Sequence, residues 1–184
     1  PISVYNKTKM VAERVFLSYA NQMQVHCIRP ATVCGLSPRM RLDVSVNMLT
    51  YQGLKNGKIT VFGGEQTRPN IHIQDMANIY RHFLANPELP SGCYNAGFEN
   101  LRILDIAERV QQGTGAEIVV SESNDPRSYR QDSSKLLATG FQPQFSVQSA
   151  IDEITTAYKN GELPDGEKCY TVKWMKHLQL EAIR

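Results

Sequence analysis

The spacing of apolar residues along the chain predicts a series of helices. Apolar side chains recur with the period of an α-helix over residues 3–21, 45–55 and 146–160, and again after Asp75 and after Leu101. Asp75 is expected to cap its helix, because an aspartate oxygen can accept a hydrogen bond from an unpaired amide of the first turn. The apolar face of that helix would carry Met76, Ile79, Tyr80 and Phe83.

Short apolar runs between these helices predict strands. One run holds Val25, Cys27 and Ile28 and stops at Pro30, and others lie at 59–62, 70–73, 92–96 and 116–121. Strands that alternate with helices favour an α/β fold with a mainly parallel sheet. Residues 161–184 are expected to form a tail with one short helix.

Composition narrows the class of protein. With 184 residues and 41% hydrophobic content, the chain can bury a core and suggests one domain or slightly more. Its 20 basic and 18 acidic residues give a net charge of +2, too balanced to indicate a nucleic-acid or membrane partner. The four cysteines have no CxxC spacing, so they are expected to be reduced core thiols of a cytoplasmic protein, and no metal site is expected.

Tyr5 and Lys9 lie four residues apart on the first predicted helix and therefore share one of its faces. Two interpretations are open. The pair can be ordinary surface chemistry, or it can be a paired acid and base in which the Lys9 ammonium favours the phenolate form of Tyr5. The spacing alone does not distinguish them, because a short pattern of common residues also arises by chance.

Five segments, taken in order, resemble the motifs of one enzyme family. They are PISVYNKTKMVAE, IRPATVCGL, NGKITVFGGEQTRPNIHIQDMANI, CYNAGFENLRILDIAERV and DPRSYRQDSSKLLATGFQP. Together they are similar to the C-terminal part of the extended short-chain dehydrogenase/reductases, the NAD-dependent epimerases and dehydratases of nucleotide sugars. The resemblance extends to Asn160, and the second segment departs from the family pattern, since Thr32 and Cys34 stand where Asn and Tyr are usual.

The resemblance implies an enzyme that uses NAD or NADP. Tyr5 would exchange a proton with a sugar hydroxyl while the cofactor takes or returns a hydride at the same carbon. Lys9 would bond to the nicotinamide ribose and help to keep the phenol reactive. The backbone around Pro30, Ala31 and Thr32 would approach the nicotinamide carboxamide.

The resemblance also implies a nucleoside-diphosphate sugar as the substrate. Arg68 and Arg127 would bind the diphosphate, because a guanidinium is a planar fork with a permanent charge. Arg130 is an alternative to Arg127, and each arginine could instead be a solvated loop charge. Asn47 would lie near the same diphosphate, although it could almost equally cap its helix.

Three further residues belong to predicted strands. Val61 and Phe62 would pass beside the nucleotide base, a position that buried packing alone would also explain. His72 alternates with Ile71 and Ile73, so it is expected to be a core or sheet-face residue rather than a catalytic one.

The expected fold class is α/β, a partial Rossmann-like parallel sheet with a small α/β substrate-binding lobe. Residues 1–42 would be the last part of the NAD-binding domain, 43–160 the substrate lobe interleaved with the last Rossmann elements at about 70–97, and 161–184 a tail. These residues contain no GxGxxG turn to hold a pyrophosphate, and the family's catalytic Ser or Thr would precede Pro1. The chain is therefore expected to be the C-terminal portion of a longer enzyme, inactive alone and a poor binder of NAD.

Other interpretations stay open at this point. The chain could be a non-catalytic dinucleotide- or partner-sensing member of the same superfamily, or a structural fragment whose exposed sheet edge associates with itself. Among enzymes, the sequence does not choose between epimerase, dehydratase and reductase, or between UDP, GDP and dTDP sugars. A homodimer through the first helix is expected from the resemblance, with Val11 and Val15 as candidate contacts.

Overall fold

The computed structural model describes residues 3–123 and 127–178 and shows a mixed α/β chain, which confirms the predicted fold class. Its strands are β1 (His26–Pro30), β2 (Thr32–Cys34), β3 (Lys58–Phe62), β4 (Thr67–His72), β5 (Gly92–Ala96), β6 (Glu99–Arg102) and β7 (Glu117–Ser121). Its helices are α1 (Val4–Leu17), α2 (Ser45–Asn56), α3 (Ile73–Ala85), α4 (Ile103–Thr114), α5 (Ser134–Leu137), α6 (Val147–Lys159) and α7 (Thr171–His177), with a 3-10 turn at Glu167–Cys169.

Within the described residues, the strands pair into three small sheets. β1 pairs parallel with β5, so that His26 lies opposite Gly92 and Pro30 opposite Ala96. β3 pairs parallel with β7, while β4 lies between β2, its parallel neighbour, and β6, its antiparallel one. Parallel neighbours run in the same direction. The carboxyl ends of β1 and β5 therefore lie side by side.

Strands β2 and β6 were not predicted. They contain three and four residues, too few to show a period of two, and both form by pairing with the longer β4. The longer strands and the helices with a clear period begin and end within about four residues of their predicted bounds. α6, for example, begins after Ser146, whose hydroxyl accepts a hydrogen bond from the Ser149 amide at 3.1 Å.

Buried side chains form distinct clusters between these elements. The largest cluster joins α2, β3, α4 and α6, through residues that include Leu49, Val61, Ile106 and Ile151. A second cluster joins α3 to β5 and to the loop after α5, through residues that include Ile79, Phe83, Tyr94 and Phe141. None of the helices in the described part of the chain combines the length and the apolar character needed to span a bilayer.

The start of α3 differs from the prediction. Its cap is His72, whose Nδ1 accepts a hydrogen bond from the Gln74 amide at 3.2 Å, so the prediction that Asp75 caps the helix was wrong. Asp75 lies in the first turn, fully buried, where its carboxylate accepts hydrogen bonds from the amides of Gln144 and Phe145. The placement of Tyr80 on the buried face was also wrong, because this side chain is 54% exposed, one position past the buried stripe.

Helix α1 lies on the surface. It starts after Ser3, whose hydroxyl accepts a hydrogen bond from the Asn6 amide, but it ends at Leu17 rather than near residue 21. None of its residues is buried, and Val11 and Val15 are both more than half exposed. A bidentate ion pair between Glu13 and Arg29 ties the helix to β1, with distances of 2.6 and 2.8 Å.

The cysteines are all free thiols, but only half of them lie in the core. Cys34 and Cys169 are buried, and burial raises the pKa of the Cys34 thiol to about 12. Cys27 and Cys93 face each other across β1 and β5 and are only partly buried, so the prediction of four core thiols was wrong for these two. Their strand pair forms a two-stranded sheet in the described part of the chain, which leaves them less covered.

The tail is anchored on α2 through Asp165. Its carboxylate accepts hydrogen bonds from the Tyr51 hydroxyl, from Lys55 Nζ at 2.7 Å and from the Tyr170 hydroxyl at 3.0 Å. A second attachment lies nearby, where the Thr171 amide donates to Asp43 at 2.8 Å. The tail therefore fixes the segment that leads into α2.

Acid is expected to release this tail. Burial alone would raise the pKa of the Asp165 carboxyl, but hydrogen bonds from Lys55, Tyr51 and Tyr170 outweigh it and hold the pKa below its usual value. Such a carboxylate stabilises the folded state above the unfolded pKa of about 4, and this contribution is lost as the pH falls through the folded value. Trp174, the single tryptophan, lies in α7, so its emission maximum should shift to the red below about pH 4.

The Asp165→Asn variant should show a red-shifted Trp174 emission maximum already at pH 6, with little further change on acidification. Asp105→Asn is the matched control, because hydrogen bonding to Arg102 lowers the pKa of Asp105 in α4, away from the tail. This control should keep the wild-type transition. A wild-type emission maximum that stays constant down to pH 3 would show that Asp165 does not hold the tail.

Candidate functional site

Two adjacent cavities lie where the carboxyl ends of several strands meet. Cavity A, of about 430 Å³, is lined by residues that include Pro30, Ala31, Thr32, Asn95, Tyr129 and Gln131. Cavity B, of about 420 Å³, is lined by residues that include Thr32, Met48, Phe62, Arg68, Arg127 and Tyr129. Thr32 and Tyr129 line both cavities, so the two cavities share part of their walls and are together called the groove.

The position of cavity A follows from the parallel pairing of β1 with β5. Pro30 ends β1 opposite Ala96, and the Ala31 amide donates to the Ala96 carbonyl at 2.8 Å. In open α/β sheets, ligands bind in the crevice beyond the carboxyl ends of parallel strands. The three residues predicted to approach a cofactor, Pro30, Ala31 and Thr32, all line this cavity.

The wall of cavity A carries a hydrogen-bond acceptor that is not used within the described residues. The Gln131 side chain donates from Nε2 to the Arg29 carbonyl at 2.8 Å, while its Oε1 is buried and has no partner among them. An unpaired buried acceptor is costly and is usually satisfied by a ligand or water.

Gly97 lies beside Ala31 and Gln131, two of the residues that line cavity A. A Cβ on Gly97 would lie 2.7 Å from the Ala31 Cβ and would also overlap Gln131 Oε1. The main chain is fixed here as well, because the Gly97 amide donates to Ser133 Oγ at 3.0 Å and its carbonyl accepts from the same hydroxyl at 2.8 Å. Neither the backbone of Gly97 nor the Ala31 side chain can move away easily.

The Gly97→Ala variant is expected to lose about 1–3 kcal/mol of unfolding free energy, because the added methyl overpacks a fixed contact. Gly113→Ala, in α4, is the matched control, since its Cβ would have no atom nearer than 3.7 Å. That change should be neutral or stabilising by up to about 1 kcal/mol. Urea unfolding of both variants checks this, and equal midpoints for Gly97→Ala and the wild type would contradict the overlap.

Cavity B brings together two of the predicted substrate arginines and an exposed aromatic ring. Arg68 donates from Nη1 to the carbonyls of Thr67, at 3.0 Å, and of Arg127, and its guanidinium lies 5.3 Å from the centre of the Tyr129 ring. Phe62 ends β3 with 58% of its side chain exposed. The cavity therefore offers two permanent positive charges next to an aromatic surface. Arg130 lines cavity A instead.

Two other predicted substrate residues lie in the interior. Val61 is fully buried in the cluster of α2, β3, α4 and α6. Asn47 is buried too, and its Oδ1 accepts from the Gly35 amide at 3.0 Å while its Nδ2 donates to the Arg41 carbonyl at 2.9 Å. The alternative that Asn47 caps α2 was wrong, because the cap residue is Val44. Asn47 instead fixes the loop 35–41 that leads to cavity B.

His72 lies in the core, as predicted. It is 3% exposed, stacks on Phe145 with 4.8 Å between ring centres, and lies 3.1 Å from a Glu153 oxygen through Nε2. With Nδ1 used in capping α3, both ring nitrogens have partners. The residue joins β4, α3 and α6.

Tyr5 and Lys9 share the exposed face of α1, with Lys9 Nζ 5.5 Å from the centre of the Tyr5 ring. Tyr5 is 67% exposed, and neither residue is among those lining cavities A and B. Helix α1 is connected to the groove through β1, because the Glu13 carboxylate of α1 binds Arg29, the residue before Pro30. This hydrogen bond from Arg29 holds the pKa of Glu13 below its usual value.

Two residues of the groove, Tyr129 and Gln131, and the neighbouring Gly97 were not singled out from the sequence. Tyr129 and Gln131 belong to the loop that carries Arg127, and the nearness of that arginine was the one available signal. Gly97 was visible only as the glycine that follows a strand. Among the residues that the structure describes, no group of three His, Cys, Asp or Glu side chains is placed to hold a metal ion.

Comparisons with known proteins agree with this architecture. Residues 1–97 match the sequence model of the NAD dependent epimerase/dehydratase family. A curated relative, the uncharacterized UDP-glucose epimerase YtcB of Bacillus subtilis (strain 168), is 27% identical over 128 residues, which are 67% of this chain and 40% of that protein.

Solved structures show the same fold. The dTDP-glucose 4,6-dehydratase of Bacillus anthracis in complex with NAD superposes with a TM-score of 0.75 at 19% identity, covering 94% of this chain and 56% of its own. The UDP-N-acetylglucosamine 4-epimerase of Bacillus cereus gives 0.74 at 20% identity, covering 86% and 57%. The chain thus spans 40% of the curated relative and little more than half of these structures.

Proposed function

The chain belongs to the NAD dependent epimerase/dehydratase family, and from this premise we propose that it supplies the substrate-binding groove and the acid–base pair of an enzyme that modifies a nucleoside-diphosphate sugar. The observation that carries the proposal is the groove itself. Arg68, Arg127 and Phe62 line one end of it, and Pro30 and Ala31 line the other. A nucleoside diphosphate at one end would direct its sugar toward a cofactor at the other.

The charge and shape of cavity B suit the nucleotide. Arg68 and Arg127 would bind the diphosphate through charge-assisted hydrogen bonds, which are among the strongest available to a protein. The exposed ring of Phe62 would contact the base. Asn47 would act indirectly, since the hydrogen bonds of its side-chain amide hold the loop 35–41 that leads to cavity B. Val61 would support Phe62 from the core.

The residues of cavity A suit the nicotinamide end of NAD or NADP. Pro30, Ala31 and Thr32 line this cavity, and their backbone would border the nicotinamide ring. When bound, the cofactor would supply reversible hydride transfer. A protein of similar structure, MoeE5, was solved in complex with UDP-glucuronic acid and NAD, which supports this combination of ligands.

Tyr5 and Lys9 would supply the proton chemistry. The Tyr5 phenol would take a proton from a sugar hydroxyl, or return it, as hydride leaves or re-enters the same carbon. The Lys9 ammonium, 5.5 Å from the ring centre, would stabilise the phenolate and bond to the ribose of the cofactor. The choice between epimerase, dehydratase and reductase is not part of the proposal.

We expect the purified 184-residue chain to show no turnover of UDP, GDP or dTDP sugars with NAD or NADP. The Tyr5 side chain is 67% exposed rather than enclosed in a site. The 184 residues also contain no glycine-rich turn to hold the pyrophosphate of the cofactor. The assay is product detection by chromatography, run in parallel on Tyr5→Phe. Turnover that Tyr5→Phe reduces by a factor of about 10²–10⁴ would overturn the expected inactivity but support the role of Tyr5. Turnover that survives Tyr5→Phe would overturn both.

The proposal also includes the cell location of the protein and its oligomeric state. Four free thiols support a reducing, cytoplasmic location.

The exposed apolar residues of α1, Val11 and Val15 among them, support a homodimer through this helix. Sedimentation velocity tests the dimer, and a purely monomeric chain at 100 µM would contradict it.

A further inference from the structure

Cys27 of β1 and Cys93 of β5 form a pair of thiols that the proposed function does not use. The two residues lie directly opposite each other in the parallel register of these strands, so their side chains leave the same face of the sheet. Neither residue lines cavity A or cavity B. Both are free thiols and both are only partly buried, so a small molecule in solution can reach them.

The spacing of β1 and β5 suits a covalent bond between the two sulfurs. Neighbouring strands lie about 4.7–4.9 Å apart, and the Cα atoms of a disulfide are usually about 4.4–6.8 Å apart. The pairing extends to both sides of the thiols, from His26 opposite Gly92 to Pro30 opposite Ala96, and keeps the strands at this spacing. The thiols can therefore be joined without a large movement of either strand.

The other two cysteines are placed differently. Cys34 is 1% exposed, lies opposite His72 in the sheet, and donates from its thiol to the Ile71 carbonyl at 3.4 Å. Cys169 is 5% exposed and donates from its thiol to the Pro164 carbonyl at 3.5 Å. Burial and position thus distinguish both of them from the pair on β1 and β5.

Charged groups approach the pair from α1, β1 and α5. The Glu13 carboxylate of α1 lies beside the thiols and binds Arg29, two residues after Cys27, at 2.6 Å. Lys135 of α5 donates from Nζ to the Cys93 carbonyl at 3.0 Å. Burial, and next the carboxylate of Glu13, raises the pKa of both thiols. Because the thiolate is the form that attacks a disulfide, the pair should react slowly at neutral pH and faster as the pH rises.

We propose that Cys27 and Cys93 are a redox modification site that forms an intrachain disulfide by exchange with a small-molecule disulfide such as oxidised glutathione. One protein thiolate attacks a sulfur of oxidised glutathione, which forms a mixed disulfide and releases one glutathione. The second protein thiolate attacks the protein sulfur of this mixed disulfide and releases the other glutathione. Two protein thiols are oxidised, one disulfide is reduced to two thiols, and the two protons pass to the released glutathione. Excess reduced glutathione reverses both steps, as for a transient cytosolic disulfide.

The test treats the reduced 184-residue chain with oxidised glutathione at about pH 8, where more thiolate is present than at neutral pH. The free thiols are then alkylated in urea and counted by mass spectrometry. We expect the reduced chain to take up four alkyl groups and the oxidised chain two, with a return to four after dithiothreitol. Tryptic mapping should join residues 15–39 to residues 82–102, and fragment spectra should place the bond at Cys27 rather than at Cys34 of the same peptide.

Variants identify the two sulfurs independently. Cys27→Ser and Cys93→Ser should each block the bridge and retain one glutathione per chain, because the mixed disulfide then has no second thiol to resolve it. Cys34→Ala is the matched control and should form the bridge as the wild type does.

A further variant tests the part played by the carboxylate. Glu13→Gln removes a negative charge beside the thiols and should speed the bridging about 2- to 4-fold, since a lower pKa gives more thiolate but a weaker nucleophile. Glu65→Gln is the matched control, because the Glu65 side chain is 76% exposed and binds Arg102 instead. It should leave the rate unchanged.

The pairing found decides the proposal. Four alkyl groups after prolonged treatment would overturn it, as would a bridge between two chains. In urea, we expect several pairings led by Cys27 with Cys34, which closes the shortest loop, and the same mixture in native buffer would also overturn the proposal. Equal rates for Glu13→Gln and Glu65→Gln would overturn the role of Glu13 alone. None of these measurements requires a nucleotide sugar, so failure of the proposed function would leave this inference standing.

Discussion

Replacement of Arg68 by alanine is expected to weaken the binding of a nucleoside-diphosphate sugar to this chain by about 10- to 100-fold. A charge-assisted hydrogen bond contributes about 1.5–3 kcal/mol, and 1.4 kcal/mol corresponds to a factor of ten in affinity. Arg68 also lies against the Tyr129 ring and donates to the Arg127 carbonyl, so its loss would loosen the other side of cavity B as well. Calorimetric titration measures the change directly.

Two further variants make the Arg68 experiment specific. Arg68→Lys keeps the charge but removes the planar fork, so we expect an intermediate loss of affinity. Arg81→Ala removes the same charge from the exposed side of α3 and should leave the affinity within twofold of the wild type. Equal effects of Arg68→Ala and Arg81→Ala would mean that only net charge matters and that Arg68 does not contact the ligand.

Replacement of Asp75 by asparagine is expected to lower the free energy of unfolding by about 2–4 kcal/mol. The Asp75 carboxylate is fully buried and accepts hydrogen bonds from two backbone amides, those of Gln144 at 3.0 Å and of Phe145 at 3.0 Å. An asparagine has one acceptor oxygen and a donor NH₂ group, so in either orientation the NH₂ would face at least one of these amide donors where a carboxylate oxygen now accepts. Leaving buried polar groups unpaired costs about 1–3 kcal/mol each.

Asp152→Asn is the matched control for Asp75→Asn. Asp152 is exposed on α6, where it accepts a hydrogen bond from Gln148 Nε2 at 2.9 Å. Its replacement should change the unfolding free energy by less than about 0.5 kcal/mol. Urea unfolding followed by circular dichroism compares the two, and an Asp75→Asn variant as stable as Asp152→Asn would contradict the role assigned to these amides.

Much of the fold could be predicted because long elements repeat their pattern many times. α6, for example, shows a clear helical period over thirteen residues. The failures occur where contacts distant in sequence decide the structure. Asp75 was expected to cap α3, but the cap is His72, three residues earlier, and the Asp75 carboxylate is used by a loop some seventy residues away. No pattern within α3 could reveal that partner, because it depends on tertiary contacts.

The residues of the candidate site could also be predicted only in part. Arg68, Arg127 and Phe62 could be found from the sequence because they belong to motifs, and the structure places all three in cavity B. Tyr129 and Gln131 could not be found, because their importance comes from where the loop lies. That loop is held on β4 and β1 by hydrogen bonds to residues far away in sequence, such as the bond from Gln131 to the Arg29 carbonyl.

We infer that this chain holds the substrate groove of a nucleotide-sugar enzyme, and a thermal-shift titration tests this inference. The wild-type chain is titrated separately with UDP, GDP and dTDP sugars and with NAD. At a hundredfold excess over the dissociation constant, a ligand of the folded state adds about 2.7 kcal/mol, which should raise the melting temperature of a chain of this size by about 5 °C or more. We expect such a shift with the sugars of one nucleotide and none with NAD. A shift with NAD and none with any nucleotide sugar would contradict the account.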